Sequence, residues 1–114
     1  MDLLPGEECK EFRPGYYITS RGRCWNDRKK KWMPFRQDTK TSRPWGQYYY
    51  RNWLGCAHTL VGRAFLEEYQ EGMFILHKDE TLPYPEINHI ENLWAGTHSQ
   101  NMKDMWDKGR RLNK

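Results

Sequence analysis

The stretch GMFILHKDETLPYPEINHIENLWAGTHSQNMKDM, residues 72–105, holds three of the chain's four histidines and three asparagines. Its first run, MFILH (73–77), is too short for a helix and rich in strand formers, which predicts a strand ending on His77. Pro83 and Pro85 make the next segment a loop, and INHIENLW (87–94) reads as a short extended segment. A helix comes next, with its boundaries signalled at both ends. Thr97 suits the N-cap, Gln100 completes a capping box, Met102, Met105 and Trp106 form an apolar stripe, and Gly109 stands where a C′ glycine belongs. A strand, loop, strand and helix in this order can aim a strand-end side chain and a helix-face side chain at one point.

Upstream, residues 57–69 place Leu60, Ala64 and Phe65 on one helical face with Val61 beside them, predicting a central helix that ends near Gln70. Before it come two pairs of β-prone runs. Residues 15–20 and 22–26 flank a turn at Arg21-Gly22, and residues 31–36 and 46–55 flank a polar, proline-containing loop. The second pair predicts a two-stranded ribbon over 31–36 and 46–54. The closing residues, RRLNK, read as a basic tail.

A chain of 114 residues suffices for one domain with one core. Few aliphatic residues are present, so six Trp, seven Tyr and four Phe must supply much of the buried area, with aromatic surface to spare. No run approaches the roughly 18 to 20 apolar residues of a membrane span, and the N-terminus lacks the pattern of a secretory signal. A soluble, cytoplasmic protein without a membrane partner is the expectation. Cys9, Cys24 and Cys56 are odd in number and form no CxxC pair, so free thiols are expected rather than a disulfide framework or a cysteine-rich zinc site.

Charge is distributed unevenly. Residues 12–63 carry twelve Lys/Arg against Asp27 and Asp38, whereas residues 64–114 carry six bases against nine acids. A block of net charge +10, interleaved with Trp25, Trp32, Trp45 and Tyr48 to Tyr50, suits a phosphate backbone. Cations gain affinity there by displacing counterions, and flat rings lie against sugars or bases.

Hydrolysis of a phosphodiester needs a base for water, a cation for the charge growing at phosphorus and on the leaving oxygen, and a group that fixes the base. His77 ends a strand, Asn92 precedes Leu93, and Asn101 lies in the first turn of the last helix, nine residues beyond Asn92. This set resembles the HNH endonucleases with the ββα-metal active site, in particular phage and intron homing-type members. HKDE (77–80) is similar to the family's His-x-Asp start, and ENLWAGTHSQN (91–101) to its Asn-Leu-aromatic segment ending in Thr-x-x-Gln-Asn. HTLVGRAF (58–65) resembles the helix that precedes the motif, and residues 12–26 resemble the short module that often begins such proteins. The likeness spans roughly residues 10–110.

The resemblance implies an α+β fold: small N-terminal antiparallel strands, a central helix and a C-terminal ββα-metal motif. Within one domain, residues 10–56 would form a basic β-rich DNA-binding part and 57–110 the helix plus the catalytic part. By the same resemblance His77 is the general base, Asn92 orients it, and Asn101 holds one divalent ion, Mg²⁺ or Mn²⁺, through a hard amide oxygen. Asp79 and His98 are secondary candidates, and His58 belongs to the fold rather than the site. Trp94 and Trp106 are expected in the core.

Two departures stand out. Leu76 occupies the position where many members carry a second metal ligand, so metal affinity without DNA should be poor. The 15-residue step from His77 to Asn92 is about three longer than usual, which leaves His89, after Asn88, as an alternative base. An ordinary buried histidine, a turn asparagine and an exposed helix position would each account for one of these residues alone.

The expected activity is cleavage of double-stranded DNA by nicking or homing-type chemistry, by a monomer or a homodimer. The alternatives are a non-catalytic DNA-binding protein on the same fold, or a nuclease preferring RNA or structured nucleic acid. Arg21, Arg23, Arg28, Lys29, Lys30, Lys31, Arg36, Arg43 and Arg51 are the candidate DNA contacts.

Overall fold

A computed structural model describes residues 1–37 and 50–107. Arg43, Trp45, Tyr48, Tyr49, Gly109 and the RRLNK tail lie outside the described residues. Four strands open the chain: β1 (Cys9–Arg13), β2 (Tyr16–Thr19), β3 (Cys24–Asn26) and β4 (Lys31–Met33), an antiparallel meander in sequence order. Gly22, at φ +82, makes the β2–β3 turn as its sequence predicts. At the β3–β4 turn the Asn26 carboxamide oxygen accepts from the N–H groups of Arg28 and Lys29, so a short polar side chain shapes a turn made almost wholly of cations.

β5 (Arg36–Gln37), β6 (Tyr50–Asn52) and β7 (Gly55–Cys56) form a second antiparallel sheet. The predicted ribbon is therefore corrected. Residues 31–33 pair with β3 in the first sheet, and among the described residues it is Arg36 and Gln37 that pair with the 46–54 segment. Pro34 supplies the reason, since it has no N–H to continue the ladder and separates the two short strands.

The central helix, α1 (Ala57–Phe65), ends four residues earlier than predicted. Leu66 leaves the helical region and packs against the core, while the Lys10 ammonium donates to the Ala64 carbonyl, one of the acceptors the helix end leaves open. α1 buries Ala57, His58, Val61 and Gly62. Its apolar residues join Ile18, Cys24, Phe35, Ile75, Leu93 and Ala95 in one core that draws on the first sheet, the helix and the final hairpin.

β8 (Phe74–His77) pairs antiparallel with β9 (Leu93–Gly96), placing His77 opposite Leu93. α2 (His98–Asp107) follows and packs on both strands. The capping box is formed: the Thr97 hydroxyl accepts from the Gln100 N–H at 3.3 Å and the Gln100 side chain accepts from the Thr97 N–H at 2.8 Å. The segment expected to be extended instead makes two 3₁₀ turns, Glu86–Asn88 and Ile90–Asn92. Trp106, expected in the core, is 53% exposed, and Met102 is exposed beside it. No helix among the described residues is long and apolar enough to cross a membrane.

Candidate functional site

His77 closes β8 and is buried, with 6% of its surface exposed. Its Nε2 lies 2.8 Å from the carboxamide oxygen of Asn88, a residue with no exposed surface. With Nε2–H donating to that oxygen, the neutral ring carries its lone pair on Nδ1. The His58 ring stands 5.0 Å from His77 at a 44° tilt. Burial and the neighbouring His77 push His58 down to about 3, so it is a neutral ring at ordinary pH.

The spacing that brings the two rings together comes from matched periods. Residues 58 and 62 are one helical turn apart, about 6 Å, and residues 75 and 77 face the same side of a strand about 6.6 Å apart. Gly62 meets Ile75 so closely that a Cβ there would come within 2.6 Å of its side chain. His58 then meets His77.

Asn92 does not touch the His77 ring in any described hydrogen bond. Its amide nitrogen donates to the Asp79 and Ile87 carbonyls at 3.0 and 2.8 Å, and its side-chain oxygen accepts from the Asp79 N–H at 2.9 Å. The Lys78 N–H donates to its backbone carbonyl. Asn92 thereby ties both ends of the long 78–87 loop to β9 and the second 3₁₀ turn. Among the hydrogen bonds described, the side chain that meets the His77 ring is that of Asn88.

The remaining candidates sit on α2, the 78–87 loop and the 3₁₀ turns. Asn101 is partly buried in the first turn of α2, its N–H donating to the Thr97 carbonyl. Asp79 accepts from the N–H and hydroxyl of Thr81. His89 lies between the two 3₁₀ turns, 3.9 Å from Glu91, and His98 is exposed near Phe74. Leu76 is buried, close to Gly96. Among the described residues no group of three His, Cys, Asp or Glu is arranged to hold a metal.

The basic residues divide into two sets. Arg28, Lys29, Lys30 and Lys31 are exposed on the β3–β4 turn and β4, with Lys30 paired to Asp27 at 3.0 Å. Arg36 and Arg51 are exposed and directly opposite each other across β5 and β6. Trp53, 66% exposed, stands in the β6–β7 turn with Arg13 over its ring and Tyr16 at its edge.

Arg21 and Arg23 make contacts within the fold. Arg21 donates to the Pro5 carbonyl. Arg23 makes two hydrogen bonds to buried Glu7, at 3.0 and 2.6 Å, and lies 3.9 Å over the Trp32 ring. Burial raises the Glu7 carboxyl, but hydrogen bonds from Arg23, Thr19 and the Leu4 N–H, with the guanidinium charge, bring it down to about 2.

Sequence reasoning missed Asn88 and set His58 aside. The buried face of α1 was the signal for His58, because it comes one turn before Gly62. Nothing in the sequence distinguished Asn88 from a loop asparagine.

A comparison with protein-family models gives no match, and neither does one with curated proteins. Among solved structures, one described as "DNA binding and cleavage by the HNH homing endonuclease I-HmuI" superposes with a TM-score of 0.69 over 92% of this chain, at 20% identity. The match spans 61% of that protein's length. A likeness at that identity concerns architecture: the α+β arrangement of N-terminal strands, α1 and the β8–loop–β9–α2 unit is shared with that HNH homing endonuclease.

Proposed function

We propose that the chain is an endonuclease that hydrolyses phosphodiester bonds in double-stranded DNA with the help of one divalent ion. The observation that carries this is the burial of His77 at a strand end, its Nε2 2.8 Å from the Asn88 carboxamide oxygen, within the hairpin that α2 packs against. A neutral imidazole so oriented takes a proton from water at Nδ1. Asn101 is the residue that would hold the ion through its amide oxygen. A hard oxygen donor fits Mg²⁺ or Mn²⁺, whose shell is completed by water and phosphate oxygens. Bound there, the ion supplies stabilisation of the charge that builds on the phosphoryl oxygens. Arg28, Lys29, Lys31, Arg36 and Arg51 hold the backbone of the duplex.

One such centre nicks one strand, and a double-strand cut requires a dimer or two successive events. The proposed setting is a cytoplasm, as for a phage or mobile-element enzyme, by analogy with the homing-type fold.

A second reading, DNA binding without catalysis, is favoured by the small exposure of His77 and by buried Leu76 in the place of a metal ligand. Supercoiled plasmid incubated with Mg²⁺, Mn²⁺ or EDTA decides between them. The nuclease reading expects metal-dependent conversion to the open circle, lost in His77→Ala. Retarded plasmid that stays supercoiled under every metal would establish the second reading instead, and preferential degradation of single-stranded RNA would redirect the substrate.

A further inference from the structure

We propose that Asn88 and His58 are positioning residues for His77, the carboxamide committing Nε2 and the packed ring blocking rotation, so that Nδ1 is the nitrogen presented for proton transfer. The proposal rests on the nuclease reading for its catalytic meaning, but its geometry is independent of it.

Asn88 is itself held from several sides. Its N–H donates to the Pro85 carbonyl at 3.0 Å, and the preceding Ile87 carbonyl accepts from Asn92. From the N-terminal sheet, Gly22 stands in van der Waals range, a Cβ there lying 3.5 Å from the Asn88 carbonyl oxygen, and the Ser20 carbonyl accepts from the Ile90 N–H at 2.9 Å. The residue that touches the His77 ring is thus clamped between the basic N-terminal part and the loop tied by Asn92. A buried carboxamide is the suitable grip, because it accepts a hydrogen bond without introducing a charge beside the base.

His58 supplies a packed neighbour, its ring centroid 5.0 Å from that of His77. As a neutral ring it fills space against His77 without adding the like charge that would weaken the base. Of the three groups, only His77 belongs at the reacting atoms. The other two act through it, as partners that fix ring orientation do for other histidines.

The test is ¹⁵N NMR of the full-length, metal-free chain with labelled histidine, held at pH 8, above the ordinary histidine range. The expected spectrum shows a protonated Nε2 and a bare Nδ1 for His77 in the wild type, and in Asn88→Asp, which keeps the acceptor oxygen. Asn88→Ala should give a tautomer mixture, and His58→Ala broadened His77 signals from ring motion. In plasmid nicking, Asn88→Ala should lower kcat by about 10-fold to 100-fold at similar KM, with Asn88→Asp recovering more than Asn88→Ala.

A wild-type His77 protonated at Nδ1, or a tautomer indifferent to both Asn88 variants, would overturn the proposal. If Asn88→Ala does not fold, the tautomers of the wild type and Asn88→Asp decide it. Correct tautomers with no nicking by the wild type would retain the positioning geometry and remove the nuclease reading.

Discussion

Gly62 of α1 and Ile75 of β8 touch so closely that a methyl group added to the glycine would sit 2.6 Å from both Cδ1 and Cγ2 of the isoleucine. Helix propensity alone favours Gly62→Ala by about 1 kcal/mol. The contact predicts the reverse, a loss of about 1 to 3 kcal/mol from overpacking. Ile75→Val, which removes Cδ1, should recover part of that loss in the double variant. Urea unfolding of the two single variants and the double variant checks it, and a stabilised Gly62→Ala would contradict the packing described.

Asn92 offers a comparison of two substitutions at one position. Its amide nitrogen donates to two carbonyls while its oxygen accepts one backbone N–H. Asn92→Ala should cost about 1 to 3 kcal/mol for the groups left unpaired. Asn92→Asp should be no milder despite its shape, because it sets a carboxylate against the Asp79 and Ile87 carbonyls. Thermal melts by circular dichroism at pH 7 rank the two, and an Asp variant close to the wild type would show that the amide bonds are not made.

The carboxamide of Asn101 is the proposed ion ligand, and its N–H already belongs to the start of α2. Asn101→Ala should leave the melting temperature within a few degrees while lowering metal-dependent nicking by 100-fold or more. Asn101→Asp should restore part of the rate and shift the Mn²⁺ concentration for half-maximal activity downward, since a charged oxygen binds the ion more tightly. A full rate in Asn101→Ala would place the ion elsewhere.

Legibility in the sequence tracks the range of the interactions involved. The strand ending on His77, the capped α2 and the turn at Gly22 are specified by neighbours within a few residues, and they form where the pattern places them. At the early end of α1 an open carbonyl is met by Lys10, fifty-four positions away. The same distinction holds within the site. His77 and Asn101 are legible as motif positions, but Asn88, which meets the His77 ring, is brought in by two 3₁₀ turns that the Asn92 side chain secures. Arg23 looked like any other member of the cationic block, and only the tertiary fold shows that Glu7, sixteen residues away, engages it.

Arg36 and Arg51 should therefore behave unlike Arg23. Each of the first two, replaced by Ala, should weaken duplex binding across sequences and lower the slope of log K against log salt by about 1, because one phosphate contact is lost. Arg23→Ala should unfold the chain more easily, because it strands the Glu7 carboxylate, and should leave the salt slope unchanged. Fluorescence anisotropy of a labelled duplex in EDTA, paired with melting curves, separates the three variants. A reduced slope in Arg23→Ala would return that residue to the DNA surface.

Acid stability should fall in two stages with different owners. His58 has a folded value of about 3 against an ordinary 6.5, so the unfolded chain takes a proton that the folded one refuses. Its contribution is complete above pH 6.5 and erodes as pH falls from 6.5 toward 3. Glu7 has a folded value of about 2 against 4.5, so its contribution is complete above pH 4.5 and erodes from there toward 2. Each fully unmatched proton costs about 1.4 kcal/mol per pH unit. Urea unfolding at successive pH values should show His58→Phe flattening the decline between pH 6.5 and 4.5, and Glu7→Gln flattening it only below 4.5. If His58→Phe follows the wild-type curve through the upper window, the ring beside His77 is not held neutral, and the face it presents to His77 carries a charge after all.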